Sequence, residues 1–243
     1  MISIQSIIDN HIKAEFEKRE RLKEVSLSQI GKCIRQLILN YKGYEPIPFN
    51  ERQLRIFAVG YIFEKFILDI LEKEGYLLKR QEPTEYKGIK GTCDGILLDK
   101  EASENILFDV KTVHSRKFQY LDNGEVDEMY HYQLMSYYSG LSTVLKLSAT
   151  PRIFYVSKDD LLLKEIGVAT TSDWKDKIDK KIDDIKHWQK QDKLPNEKDE
   201  PTWECFSVSQ KFKEVKVWCR FLKHCPNISK CYEEAVKKMG KKS

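Results

Sequence analysis

Helical spacing of apolar residues in the first third of the chain, strand-like apolar runs in its middle and cysteines gathered near its end predict an α/β or α+β protein. Helices come first, then a central sheet, further helices and a cysteine-rich segment. Ile4, Ile7, Ile8, Ile12 and Phe16 recur at helical spacing over residues 4–20. The segment "SLSQIGKCIRQLILNYKG" begins with Ser26 or Ser28 as N-cap and ends at Gly43. Phe57, Tyr61, Phe66, Ile67 and Ile70 predict a long helix over about 50–74, with Gly75 stopping it. "YLLKRQEPT" reads as a short strand, and "KGIKGTCDGILLD" with "NILFDVKTV" as a hairpin joined by the polar "KEASE". "DEMYHYQLMSYYSG" predicts a helix around 127–140, and "ATPRIFYVSKD" with "LLLKEIGVAT" a second strand pair. Residues 172–192 alternate charged residues with Ile and Trp, as an exposed amphipathic helix does. "QKQDKLPNEKDEP" is a polar linker, and residues 203–243 hold four of the six cysteines.

A chain of 243 residues buries a core without disulfides, and 41% hydrophobic with 33% charged residues is a globular composition. The net charge of +4 permits nucleic-acid binding without arguing for it, so that case rests on local sites. No apolar run reaches the ~18–20 residues of a membrane span. The first residues lack a basic leader followed by an apolar block, so a cytoplasmic setting without a membrane partner is expected. There, six cysteines are metal or cluster ligands, or buried apolar residues, rather than a disulfide framework. No G-x-x-x-x-G-K-[S/T] phosphate loop occurs, so unwinding of nucleic acid would need another protein.

The chemistry concentrates in "GTCDGILLDKEASENILFDVKTV", residues 91–113. Asp109 and Lys111 are two apart and share a strand face, while Val110 points the other way into a core layer. With the two strands as neighbours, Asp94 lies beside Asp109. Close carboxylates repel, and one holds its proton unless a cation sits between them. A divalent metal resolves that conflict, and a lysine on the same face orients a water or steadies charge on a phosphate. The same residues also fit a turn at Asp94-Gly95 and a surface ion pair, worth about 0–1 kcal/mol. Gln133 and Tyr137 are four apart on one helix face, placed to hydrogen-bond a phosphate, to brace the lysine strand, or to form part of an aromatic core stripe with Tyr130, Met135 and Tyr138.

Asp94 followed by Asp109-Val110-Lys111 resembles the PD-(D/E)xK nuclease core. "YQLMSYY" resembles the Gln-x-x-x-Tyr helix of RecB-type nucleases, at Gln133 and Tyr137. "FAVGYIFEKFI" is similar to their Gly-x-x-His-Glu helix at Gly60 and Glu64, with Phe63 where many members carry His. "PRIFYVSKDD…KEIGV" resembles the closing strand pair, so the motifs cover most of residues 26–168 in the family's order. The resemblance implies a restriction-endonuclease-like central mixed sheet flanked by helices, with the cysteine-rich C-terminal segment closing onto the N-terminal helices. It implies one domain over 1–243, with the nuclease core at 26–168 and the cysteine segment at 200–235. Mg²⁺ or Mn²⁺ would be held by Asp94, Asp109 and the Val110 carbonyl, with Glu64 assisting. Asp94, Asp109, Lys111, Gln133 and Tyr137 would form the catalytic set, and Tyr137 or Tyr138 is available for stacking on single strands. Phe63 leaves Glu64 as the candidate acid on its helix and bears on the choice between one and two metals.

Cys33 stands far from Cys219, Cys225 and Cys231, which are separated by five residues each. Three clustered cysteines with a distant fourth bind zinc or an iron–sulfur cluster. The small exonucleases of CRISPR adaptation and the AddB nuclease domain carry one cysteine before the core and three after it. Resemblance to them implies a structural 4Fe–4S cluster on Cys33, Cys219, Cys225 and Cys231, with zinc as the alternative. The usual Cys-x-x-Cys is stretched here to Cys219-x5-Cys225, and Cys205 is a reserve ligand. Cys93 reads as core. The function expected is a metal-dependent DNA exonuclease on single strands or DNA ends, in recombination, repair, CRISPR adaptation or viral DNA processing. The alternative is a catalytically weak DNA-end binding subunit of a helicase or integrase complex.

Overall fold

The computed structural model describes residues 3–18, 24–99, 104–123, 126–144, 149–196, 205–209 and 214–240. The chain forms two compact units, one of residues 1–31 and 49–182, the other of residues 32–48 and 183–243. No helix among the described residues is long and apolar enough to cross a membrane.

In the first unit, helix α1 (Ile4–Lys18) contacts a long helix near the start of the unit's second segment. Chain numbering makes that long helix α3 (Glu51–Lys73), because α2 (Ile34–Tyr41) belongs to the second unit. Asn50 caps α3 by accepting a 2.9 Å hydrogen bond from Gln53 N, and Gln53 Oε1 accepts one from Asn50 N. Gly75, at φ 72°, follows its end, as the sequence predicts. The strands are β1 (Leu77–Arg80), β2 (Pro83–Tyr86), β3 (Ile89–Thr92), β4 (Gly95–Asp99), β5 (Glu104–Val113), β6 (Thr150–Ser157) and β7 (Leu163–Gly167). Between them stand a short helix α4 (Ser115–Gln119) and helix α5 (Glu128–Val144), and α6 (Ser172–Gln189) follows β7.

The central sheet is mixed and runs β1-β4-β5-β6-β7; β5 and β6 are parallel and the other pairs antiparallel. The β4–β5 and β6–β7 pairings are those expected. The joining "KEASE" falls largely outside the described residues. The expected strand over 87–99 is broken: β3 pairs with β2 in a separate hairpin, and Cys93-Asp94 forms a bend before β4. Ser26 begins only a 3₁₀ turn at Leu27–Gln29, and Cys33 rather than a serine stands at the N-cap of α2.

The pleat sends Ile106, Phe108 and Val110 of β5 into an apolar layer with Leu97, Phe154 and Val156, covered by Leu68 and by Phe63, Ile67 and Leu71 of α3. Phe108 stacks on Phe154 at 4.8 Å between ring centroids. Asp109 and Lys111 therefore occupy the opposite face, the one α5 approaches. Gly95 makes the junction possible: a Cβ there would lie 2.6 Å from the Phe108 ring.

In the second unit, Arg35 of α2 donates to the Pro195 carbonyl and, at 2.9 Å, to the His224 carbonyl. Leu39 packs with Cys219, Phe221 and Leu194. The C-terminal segment adds β8 (Phe206–Ser209), antiparallel to β9 (Glu214–Val217), and α7 (Pro226–Gly240). Residues 197–201 of the expected linker lie outside the described residues.

Gly95→Ala is expected to cost about 1–3 kcal/mol, because the Phe108 ring must leave its stacked position. Urea unfolding checks it through a lowered midpoint at unchanged slope.

Candidate active site

Asp109 sits mid-strand in β5 and is 2% exposed. Its Oδ1 accepts a 2.8 Å hydrogen bond from Gln133 Nε2 of α5, and its Oδ2 forms an ion pair with Lys111 Nζ. Gln133 Nε2 also lies 3.3 Å from the Tyr137 hydroxyl oxygen, which accepts from it. Register places Asp94, one residue before Gly95↔Phe108, alongside Asp109, and Asp94 Oδ2 accepts a 2.7 Å hydrogen bond from Val110 N. Glu64 of α3 faces the same charges, and Gln81 Nε2 donates to its Oε1 at 3.4 Å. The structure thus brings together Glu64, Asp94, Asp109, Lys111, Gln133 and Tyr137, from α3, the bend before β4, β5 and α5.

The electrostatics follow from that crowding. Burial, then the Asp109 and Glu64 carboxylates, hold the Asp94 carboxyl well above its ordinary range. Burial also raises Glu64, with Asp109 adding to it and the Gln81 amide opposing it. Burial of Lys111 opposes its charge, but Asp109 and Asp94 outweigh that and raise its pKa. Lys111 stays protonated at neutral pH and acts as a cation and donor. Three acids against one ammonium favour protons on Asp94 and Glu64 in the absence of a cation, and their oxygens are the donor set a hard divalent cation takes in place of those protons.

In the present arrangement, among the described residues, no three His, Cys, Asp or Glu side chains are gathered tightly enough to hold a metal ion. Lys111 and Gln133 occupy the Asp109 oxygens and Val110 N occupies one of Asp94. Carboxylate oxygens carry two lone pairs each, so the acids suit a cation chemically while their present partners are neighbours in the chain.

Some expectations change. Tyr137 is 1% exposed, and its ring packs where a Cβ on Gly91 would come within 2.8 Å, so it braces Gln133 and is closed to stacking on a strand. Phe63 packs on the apolar layer and offers no donor. Gly60 is not needed for close packing, since a Cβ there would meet only Thr112 Oγ1, at 3.7 Å. Two residues the sequence did not single out belong to the site. The Tyr130 ring lies 4.9 Å from Lys111 Nζ, and Gln81 joins Glu64. Tyr130 had a visible signal, being one turn before Gln133 on the same helix; Gln81 had none.

The cysteines form a second group, inside the second unit. Cys33, Cys205, Cys219 and Cys225 line one small cavity with Leu39 and Ile228. Cys231, on α7, does not line it; the reserve residue Cys205 stands in the group instead. Trp218 N and Cys219 N both donate to the Cys205 carbonyl at 3.1 Å, which ties Cys205 to Cys219. Burial pushes the Cys219 thiol up to about 11, with Cys33, Cys225 and Cys205 adding to it. Cys93 is buried in the first unit, as expected, and burial raises it to about 12.

Stability should respond to the acid excess. The fold raises the Asp94 pKa above its unfolded value of about 3.9, so the folded chain holds that proton more tightly. The contribution of Asp94 to metal-free stability is full below the unfolded value and is lost as pH rises through the folded one. Asp94→Asn keeps an acceptor for Val110 N and removes the charge. Metal-free Asp94→Asn is expected to unfold at higher urea than the parent at pH 8, with the gap closing at low pH.

No protein-family model matches the chain, and no curated protein matches its sequence. Among solved structures, the crystal structure of SSO0001 is similar over 93% of this chain and 97% of that one, with a TM-score of 0.53 at 17% identity. The alkaline exonuclease LHK-Exo from Laribacter hongkongensis is similar over 73% of this chain and 93% of its own, with a TM-score of 0.45 at 11% identity. A phage related exonuclease from Haemophilus somnus 129PT is similar over 75% and 96%, at a TM-score of 0.45 and 14% identity. At these identities and scores the likeness to SSO0001 is one of fold, and those to the two exonucleases carry no further conclusion.

Proposed function

We propose that the chain is a divalent-metal-dependent deoxyribonuclease of the PD-(D/E)xK type, acting as an exonuclease on single-stranded DNA or DNA ends. The observation that carries this reading is the set of buried Asp109 and half-buried Asp94 and Glu64 facing the ammonium of Lys111. Mg²⁺ or Mn²⁺ would be held by Asp94, Asp109 and the Val110 carbonyl, with Glu64 assisting. A bound divalent cation supplies a nucleophilic water at neutral pH and offsets charge on the phosphate oxygens. Lys111, protonated, orients that water or steadies the charge that builds on the phosphate. Gln133 holds Asp109 in place, and Tyr137 holds Gln133.

The cysteine group supports a second, structural metal centre, read as a 4Fe–4S cluster with zinc as the alternative. Cys33, Cys219 and Cys225 would hold it, with Cys205 as the fourth ligand in place of Cys231, because Cys205 lines the same cavity. The raised Cys219 thiol implies that loading releases a proton.

End-labelled single- and double-stranded DNA incubated with Mn²⁺, Mg²⁺ or EDTA tests the activity. Metal-dependent trimming is expected, with Lys111→Ala slower by about 10²–10³-fold. Binding without trimming in the parent would shift the reading to a DNA-end binding subunit. Anaerobic purification followed by iron, sulfide and zinc analysis tests the second centre. Cys205→Ser is expected to lose the bound metal and Cys231→Ser to keep it; the reverse would restore Cys231 as ligand.

A further inference from the structure

The chain between β1 and β4 is almost one continuous ribbon. Arg80 pairs with Gly95, Gln81 N donates to the Asp94 carbonyl at 2.9 Å, Cys93 N donates to the Glu82 carbonyl at 3.1 Å, and Pro83 pairs with Thr92. The ribbon nevertheless bends there, at Gln81 and Asp94, and the bend coincides with a strained residue. Gln81 adopts φ 46°, a left-handed conformation unfavourable for a residue with a Cβ. Among the described residues, two other non-glycine residues share it, Lys87 and Leu161. Lys87 and Gly88 form the two-residue loop joining β2 to β3, and Leu161 lies in the turn between β6 and β7. Those two serve tight turns between paired strands. Gln81 serves none, and strain of this kind gathers where a site requires it.

What the strain secures is visible in its hydrogen bonds. The Gln81 backbone holds the residue that carries one acid, Asp94, while its side chain reaches another, Glu64. The preceding Arg80 is anchored to the same helix as Glu64, donating to Asp69 at 2.9 Å and to Glu72 at 2.7 Å. The kink thus ties the Asp94 bend to α3, through a neutral amide that adds no positive charge to the acid set. A lysine or arginine at this position would supply the cation that the acids otherwise take from solution.

We propose that Gln81 is a positioning residue that sets the spacing and orientation of Glu64 and Asp94 and thereby the divalent-metal affinity of the site. This rests on the nuclease reading above, in which those acids hold the metal. Partners that orient ligands in this way alter metal affinity by about 10–100-fold when removed. Gln81 touches neither substrate nor metal in this assignment, so its loss acts on affinity more than on the rate at saturating metal.

Titration of the whole protein with Mn²⁺, followed calorimetrically and through the melting temperature, tests it without reference to turnover. Gln81→Met keeps the side-chain bulk and loses the amide; Gln81→Gly also relieves the left-handed strain. Both are expected to bind Mn²⁺ about 10–100-fold more weakly than the parent. Metal-free Gln81→Gly is expected to melt at or above the parent temperature, so that affinity and stability move apart as a merely structural residue would not allow. Unchanged Mn²⁺ affinity in both variants, beside a parent that binds, overturns the role of Gln81 and leaves the nuclease reading intact. A parent that binds no Mn²⁺ overturns both.

Discussion

Three carboxylates and one ammonium share a poorly solvated space on the sheet, and most of the first unit's local structure serves that imbalance. Left alone, such a group would protonate or open. Burial does favour the protonated forms of Asp94 and Glu64, and directed donors hold the group together: Val110 N on Asp94, Gln133 and Lys111 on Asp109, Gln81 on Glu64. Only one of these donors is a cation. The others restrain the acids geometrically without supplying a counter-charge, which leaves room for one where the proposed metal would bind. Stability is given up locally at a group of acids that, in the proposed function, a hard cation would complete.

The apolar side of β5 makes this arrangement possible. Alternation along the strand sends Phe108 and Val110 to the α3 layer and Asp109 and Lys111 to the α5 side, so acid and core residues interleave without exchanging faces. A one-residue slip would turn Asp109 into the layer of Leu68 and Phe154 and Phe108 toward α5. Gly95 fixes the register by leaving room for the Phe108 ring, and the Phe108–Phe154 stack then locks β5 to β6. Phe63, at the position where the resembling nucleases often carry His, is part of this apolar layer, while the neighbouring Glu64 reaches the acids.

The second unit solves a different problem, a small amount of chain with a limited core. Its described contacts lean on Arg35, which holds two backbone carbonyls, and on Leu39 against Cys219 and Phe221. Four cysteines around one largely apolar cavity are the group to which the proposed structural centre is assigned. Cys205 joins them because β8 and β9 pair and bring its backbone beside Trp218 and Cys219.

The sequence by itself determined most of the order of elements, the approximate span of α3, the two strand pairs β4–β5 and β6–β7, and the shared strand face of Asp109 and Lys111; the place of Asp94 and Gln133 beside them was implied by the resemblance. These rest on period and local chemistry: alternation fixes a strand's faces, apolar spacing of three and four marks a helix, and Gly75 marks a helix end. The tertiary structure alone decided the break at Gln81 and Asp94, the burial of Tyr137, the role of Tyr130 above Lys111 and the grouping of Cys205 with Cys33. Each depends on which distant segments meet. A left-handed glutamine leaves no pattern in a sequence, a tyrosine at helical spacing is the same letter whether it faces a strand or a solvent channel, and cysteine spacing along the chain does not encode which sulfurs a β-hairpin will bring to one cavity.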